Sequence, residues 1–285
     1  MPACIHDASI VFNRPVVPGI MRMRLEWPAA ARHAQPGQFI MVQVSEHTDP
    51  LLRRPFSICA AQHETIDILY KLVGKGTAAM ALWQIGKTVN CIGPLGNGFN
   101  ITGPPKRAYL VAGGIGIAPL LFLFQTFQER YHGSFSAFFI GGKTARDVAV
   151  VDDFFDSALY HDYIFHATED AARGFPGLVT DLLLQYLQHV RHESRGGECL
   201  FGCGPIPMLS RLSAIAEHRG IDCQVSLESR MACGIGVCLG CAIKTRTLPG
   251  SAFDAADSCA SKFSTYKRVC ADGPVFNSAT LVWGD

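Results

Sequence analysis

The 285-residue sequence lacks an excess of charge of either sign, with 25 lysines and arginines against 24 aspartates and glutamates. It therefore has no electrostatic footprint for nucleic acid or an anionic membrane surface. It lacks an apolar run able to span a bilayer, because the longest, over residues 110–124, is interrupted by three glycines and a proline. The first residues lack the charged-then-apolar pattern of a secretory signal. None of the ten histidines forms a pair at metal-binding spacing, so positions such as His132, His161 and His218 read as solvated or capping residues. No Ser/His/Asp constellation can be argued from residue order. What is left is a globular composition, 48% hydrophobic and 17% charged, in a chain long enough for two or three domains. Its eleven cysteines read as metal ligands and small core residues rather than disulfides, and the expected location is cytoplasmic.

Three of those thiols, Cys233, Cys238 and Cys241, follow the spacing C-x4-C-x2-C. That is the plant-type arrangement for a [2Fe–2S] cluster, which takes one further cysteine from downstream. A loop aiming several sulfurs at one small group needs positive φ and room for backbone N–H groups, which Gly234, Gly236 and Gly240 permit. A zinc knuckle is the competing reading, but zinc sites prefer two C-x2-C units and only one occurs here. For the fourth ligand, Cys270 precedes the tight turn Asp272-Gly273-Pro274, whereas Cys259 sits in a small, polar run over 251–264 that reads as an insertion. Cys270 is the expected ligand.

The first hundred residues carry strand signals. Met21, Met23, Leu25 and Trp27 alternate with Arg22, Arg24 and Glu26, the pattern of a half-buried strand. Further short strands are expected over 38–44, 56–60, 66–73 and 88–92, which together predict a small antiparallel barrel. Within it, Arg54 offers a fork of donors suited to a pyrophosphate, Pro55 stiffens the chain, Phe56 follows, and Ser57 adds a hydroxyl. Leu69, Tyr70 and Lys71 precede Gly76 and Thr77, which open a short helix whose N–H groups can receive a phosphate. Tyr70 reads equally as a flavin contact and as a cross-strand packing aromatic.

From Lys106 strands alternate with helices. Strands are expected over 107–112, 135–140, 162–167, 198–201 and 222–227, and helices over 117–131, 177–190 and 206–219. In the second helix, Leu178, Leu182, Leu183 and Leu187 lie on one side. This alternation predicts a parallel, doubly wound sheet. Its first turn runs Gly113, Gly114, Ile115, Gly116, Ile117, Ala118, Pro119, a glycine-rich strand-to-helix turn that admits a pyrophosphate although Pro119 replaces the last glycine of the full motif. Cys203, Gly204 and Pro205 form a second such turn at the carboxyl edge of the sheet. Where an acidic residue would bind an adenosine 2′-hydroxyl, the sequence offers Lys143 and Arg146, so NADP stays open beside NAD.

The runs Arg54-Pro55-Phe56-Ser57, Gly74-Lys75-Gly76-Thr77 and Gly93-Pro94-Leu95-Gly96-Asn97-Gly98-Phe99 resemble the FAD domain of the ferredoxin reductase superfamily. With the cysteine motif and the Val269-to-Phe276 run, nearly the full chain is similar to the electron-transfer subunits of class 1B dihydroorotate dehydrogenase. The resemblance implies an FAD-binding β-barrel over 1–102, an NAD-binding α/β domain over 103–226 and a [2Fe–2S] domain over 227–285. It implies FAD contacts at residues 54–57, 69–71 and 76–77, a loop over 93–99 leading towards the flavin edge, and Cys203 beside the nicotinamide as a contact for hydride transfer. It implies, too, a partner subunit holding FMN, in a heterotetramer of two of each, whose electrons from dihydroorotate pass through the cluster and FAD to NAD+. A ferredoxin-type or hydrogenase-linked NAD(P)H reductase subunit is the neighbouring alternative, and a zinc-stabilised binding module the alternative of another class. Two departures stand out: a long gap between Cys241 and Cys270, and Ala171-Ala172 where the family has Gly-Ser.

Overall fold

The computed structural model describes residues 4–284 apart from 102, 104, 132–134, 157–158, 191–196 and 247–264, so the expected insertion over 251–264 with Cys259, and His132, lie outside the described residues. The first six strands are β1 (Cys4–Val17), β2 (Ile20–Glu26), β3 (Phe39–Val42), β4 (Arg54–Gln62), β5 (Thr65–Lys71) and β6 (Thr88–Leu95). They close into an antiparallel barrel in the order β1-β2-β5-β4-β3-β6. The alternating apolar residues meet inside it, where Met23, Leu25, Trp27, Ile40, Ile58 and Ile68 are fully buried. Two short helices, α1 (Pro28–His33) and α2 (Lys75–Ala81), lie in its connections.

The second unit holds strands β7 (Arg107–Gly113), β8 (Phe135–Gly142), β9 (Ile164–Thr168), β10 (Phe175–Pro176), β11 (Glu198–Cys203) and β12 (Asp222–Ser226). Its helices are α3 (Ile117–Arg130), α4 (Ala145–Val148), α5 (Val179–His189) and α6 (Ile206–Arg219). The six strands are parallel in the order β10-β9-β8-β7-β11-β12, the doubly wound sheet that the alternation predicts. Both faces are covered: Leu110 and Phe138 pack with Leu121 and Phe124 of α3 on one side, Tyr109 and Val111 with Leu183 and Leu209 on the other. Leu178 departs from the expected inward side. It precedes α5 and is exposed, because its extended backbone turns it into the groove above the sheet.

Past β12 the chain forms a loop, a hairpin of β13 (Ala242–Thr245) and β14 (Thr265–Arg268), and then β15 (Val275–Asn277). That last strand returns to the second unit and pairs antiparallel with β12, giving a seven-stranded sheet. No helix among the described residues is long and apolar enough to cross a membrane.

The half-buried reading of β2 needs a correction at Arg22, which is only 9% exposed. Arg22 Nε donates to Asp67 of β5 at 2.8 Å, and Arg24 Nε reaches the same carboxylate at 2.6 Å. Arg22 also donates to Asp153 at 2.7 Å and lies 4.0 Å over the Phe154 ring, both from the second unit. A cation can be buried here because every face of its guanidinium has a partner. Asp67→Ala is therefore expected to destabilise the fold by about 3 kcal/mol, since it takes away the buried carboxylate shared by Arg22 and Arg24 and leaves Arg22 with Asp153 as its remaining carboxylate. Denaturant unfolding measures this, and a midpoint equal to the parent's would refute it.

Candidate functional site

A cavity of about 610 Å³ opens where the barrel faces the carboxyl edge of the sheet. Arg54, Pro55, Phe56, Ser57, Leu69, Tyr70, Lys71, Gly76 and Thr77 all line it, so the structure collects every barrel residue singled out in the sequence. β4 and β5 hold the first seven of these, and α2 the last two. Tyr70 lines the cavity, donates to Asn13 Oδ1 at 2.7 Å and meets Phe56 edge-on at 5.8 Å, the cross-strand packing that one of its two readings expects. Burial pushes its hydroxyl up to about 12. Thr77 Oγ1 accepts the backbone N–H of Val73 at 3.0 Å and of Gly74 at 3.3 Å, fixing the loop ahead of α2. A Cβ on Gly76 would stand 3.3 Å from Val44, which keeps this wall close to backbone. A long apolar cavity with an arginine and hydroxyls at one end fits a flavin nucleotide. Residues 93–99 are not among the cavity's lining, and Asn97 of this loop is bonded to the turn after Cys270.

A second cavity, about 650 Å³, lies over the carboxyl ends of the parallel strands. Gly113, Gly114, Gly204 and Pro205 line it, together with Lys143, Asp147, Glu169 and Met208. Gly116, Pro119 and Cys203 are not among its lining. The two turns touch at Gly116, where a Cβ would lie 2.5 Å from the Cys203 carbonyl oxygen, and at Gly113, where one would lie 2.8 Å from Pro205 Cδ. Cys203 is buried, and burial pushes its thiol up. Arg146 is absent from the lining, while Lys143 is present beside two carboxylates. Glycine backbone at a strand-to-helix turn above a parallel sheet fits a dinucleotide.

The two cavities meet at Lys71, Ile115 and Glu228, which line both. Glu228 carries no periodicity or motif signal beyond its place ahead of the cysteine run, and only the tertiary structure brings it to this junction. Burial holds its carboxyl above the usual carboxylate range.

The four thiols fall into two pairs. Cys238 N–H donates to Cys233 Sγ at 3.5 Å, and Cys270 Sγ lies 3.3 Å from Cys241 Sγ. Burial works to raise the Cys233 thiol, but the N–H groups of Cys238, Ile235 and Val237 with the Cys238 side chain outweigh it and bring it to about 6. Burial and the Cys241 thiol push Cys270 up to about 12. Gly234 (φ 71°) and Gly236 (φ 85°) adopt the positive φ expected of this loop, but Gly240 does not, and Leu239 (φ 58°) takes that role. Arg268 fastens the loop by donating to the Gly236 carbonyl at 2.9 Å while pairing with Asp272 at 3.0 Å. Among the described residues no three His, Cys, Asp or Glu side chains gather as a single ion requires. Four cysteine sulfurs with this spacing are the donor set of a binuclear iron centre, whereas a single zinc prefers two C-x2-C units.

Residues 228–254 match the family described as the iron–sulfur cluster binding domain of dihydroorotate dehydrogenase B, and residues 14–99 the oxidoreductase FAD-binding domain. A protein of Caldanaerobacter subterraneus subsp. tengcongensis named dihydroorotate dehydrogenase B (NAD(+)), electron transfer subunit, is 36% identical over 94% of this chain and 95% of its own. One of the same name from Geobacillus thermodenitrificans is 36% identical over 96% and 97%. Among solved structures, an NADH-dependent reduced ferredoxin–NADP oxidoreductase shares the fold with a TM-score of 0.78 at 24% identity, covering 97% of this chain and 90% of that one. A Neisseria gonorrhoeae ferredoxin NADP+ reductase with bound FAD and NADP aligns at 0.62 and 18% identity, over 76% and 92%.

Gly116→Ala is expected to cost about 1–3 kcal/mol, because the added methyl meets backbone rather than a side chain able to move. Nucleotide affinity in the second cavity should fall with it. Unfolding and binding titrations check both, and unchanged values would mean that the two turns separate freely.

Proposed function

The chain belongs to the family of electron-transfer subunits of NAD-linked dihydroorotate dehydrogenase B, and on that premise we propose that it carries electrons from an FMN-bearing catalytic subunit to NAD+ in pyrimidine biosynthesis. The observation that carries the proposal is the joining of two nucleotide-sized cavities at Lys71, Ile115 and Glu228, with Cys241 and Cys270 of the thiol motif in the same apolar body as Phe39 and Leu227 of the first. When bound, an iron–sulfur cluster supplies one-electron transfer, nicotinamide takes two electrons as hydride, and a flavin does either.

The chain's own residues supply the binding and the order. Arg54 and the loop ordered by Thr77 would hold the FAD phosphates, with Phe56, Leu69 and Tyr70 along the flavin side, as their shared lining supports. Gly113, Gly114, Gly204 and Pro205 would hold NAD, kept in place by the Gly116 contact. Cys203 would shape the nicotinamide end through its backbone. Cys233, Cys238, Cys241 and Cys270 would hold the iron–sulfur cluster. Phe39 and Leu227 line the first cavity and belong to the same apolar body as Cys241 and Cys270, with Met231 packed against it.

Ile235, Val237 and Leu239 are 52%, 76% and 63% exposed on the thiol loop beside the exposed Cys238. Apolar side chains grouped on a loop that carries an electron centre support docking of the catalytic subunit here. We take the assembly to be a heterotetramer in the cytoplasm, in keeping with ten described cysteines that are all free thiols.

The test is purification with the candidate FMN partner and an assay for NAD+ reduction driven by dihydroorotate. A fully loaded complex that forms no NADH would overturn the assignment. Cys270→Ser should lose iron and the red-brown absorbance, while Cys259→Ser keeps both; the reverse result would exchange the fourth ligand. Val237→Asp should weaken assembly about tenfold or more yet leave NADH-driven reduction of artificial acceptors intact.

A further inference from the structure

The loop over 93–99 has a role that neither cavity uses. Gly93 and Leu95 end β6, and the chain then turns towards the segment following Cys270. Asn97 N–H donates to the Gly273 carbonyl at 2.6 Å, and Asn97 Nδ2 to the carbonyls of Asp272 at 3.1 Å and Ala271 at 3.4 Å. Three successive carbonyls after the fourth thiol are thus held by one residue of the barrel. Gly96 lets the two chains touch: at φ 74°, a Cβ there would stand 2.5 Å from Pro274 Cδ and 2.7 Å from the Gly273 oxygen. The loop is itself anchored to the barrel, because Gln38 Nε2 donates to the Gly96 carbonyl at 2.9 Å and Phe99 N–H to that of Pro36 at 2.8 Å.

Beyond the clamp, Leu227 N–H donates to the Pro274 carbonyl at 2.9 Å, and Leu227 and Pro274 line the first cavity. The segment that carries Cys270 is therefore fixed on one side by Gly96 and Asn97 and on the other by the wall of that cavity. Because Cys270 is two residues from the first clamped carbonyl's neighbour Asp272, any shift of the turn moves its sulfur.

We propose that Gly96 and Asn97 are positioning residues that set the spacing between the Cys241–Cys270 thiol pair and the first cavity, and thereby the rate of electron passage between them. This rests on the reading that the thiols hold the cluster and the cavity holds FAD. Loosening the clamp would move the Cys270 turn relative to the first cavity while leaving the nucleotide cavity untouched, so the step through that turn should slow while hydride transfer does not.

Rapid mixing of the assembled complex with NADH resolves the steps. Hydride from NADH first delivers two electrons to the flavin, followed at 450 nm on the order of milliseconds. One electron then reduces one ferric ion of the cluster, read by freeze-quench electron paramagnetic resonance. In Gly96→Ala the second step should slow about tenfold or more, as for a displacement on the order of 1 Å. Asn97→Ala, which keeps the backbone bond, should slow it less. Both variants should keep the parent's hydride step and flavin content, and the cluster's resonance should shift as its ligand turn moves. If Gly96→Ala retains no iron, Asn97→Ala decides the matter. An unchanged second step and resonance in iron-replete variants would overturn the inference. Failure of NADH to reduce the flavin of the parent complex would instead bring down the functional reading, and this inference with it.

Discussion

The turn from Ala271 to Pro274 and the strand that follows it tie the molecule together. Asn97 of the barrel bonds three of its carbonyls, Leu227 bonds the fourth, and β15 continues as the outermost strand of the parallel sheet beside β12. A few residues thus touch all three parts of the chain. Since backbone groups buried at such a junction must find partners, the turn can sit in one place only, and Cys270 with it. The close approach of Gly96 leaves no slack between the barrel and this turn.

A second constraint acts between the barrel and the sheet. Arg22 is buried between Asp67 of its own barrel and Asp153 from the neighbouring unit, under the Phe154 ring. α3 is buried along most of its length, between the sheet and β4. Interfaces between domains of one chain are commonly polar and mobile, but this one combines an apolar helix with a desolvated ion network. The consequence for function is geometric. Two cavities built on different units share Lys71, Ile115 and Glu228, and they keep that common wall only while the units hold their relative orientation.

The thiol loop shows how local chemistry and packing divide the work. Backbone N–H groups supplied by the loop favour the charged form of Cys233, whereas Cys241 and Cys270 lie in the apolar body that also contains Phe39 and Met41 of the barrel. Cys238 is exposed beside Ile235, Val237 and Leu239, whereas Cys241 and Cys270 are buried in the apolar body that Phe39 and Leu227 of the flavin-sized cavity also belong to. A relay needs such polarity, with one side open to a partner and the other close to the next carrier.

The amino-acid sequence determined the periodic and local features. Alternation in β2, the strand–helix rhythm after Lys106 and the C-x4-C-x2-C spacing follow from the geometry of strands, helices and a cluster loop, which need no distant residues. Even the barrel residues of the first cavity were legible, since arginine, hydroxyl and glycine at a turn carry their chemistry with them. Where a side chain's partner lies far along the chain, local pattern is incomplete: Arg22 reads as solvated until Asp153 covers it, and nothing local in residues 93–99 announces the 271–274 turn that Asn97 meets. The same holds for Glu228 and for Leu178. Tertiary structure alone decided these, because burial and proximity belong to the packing of several segments at once and to none of them singly.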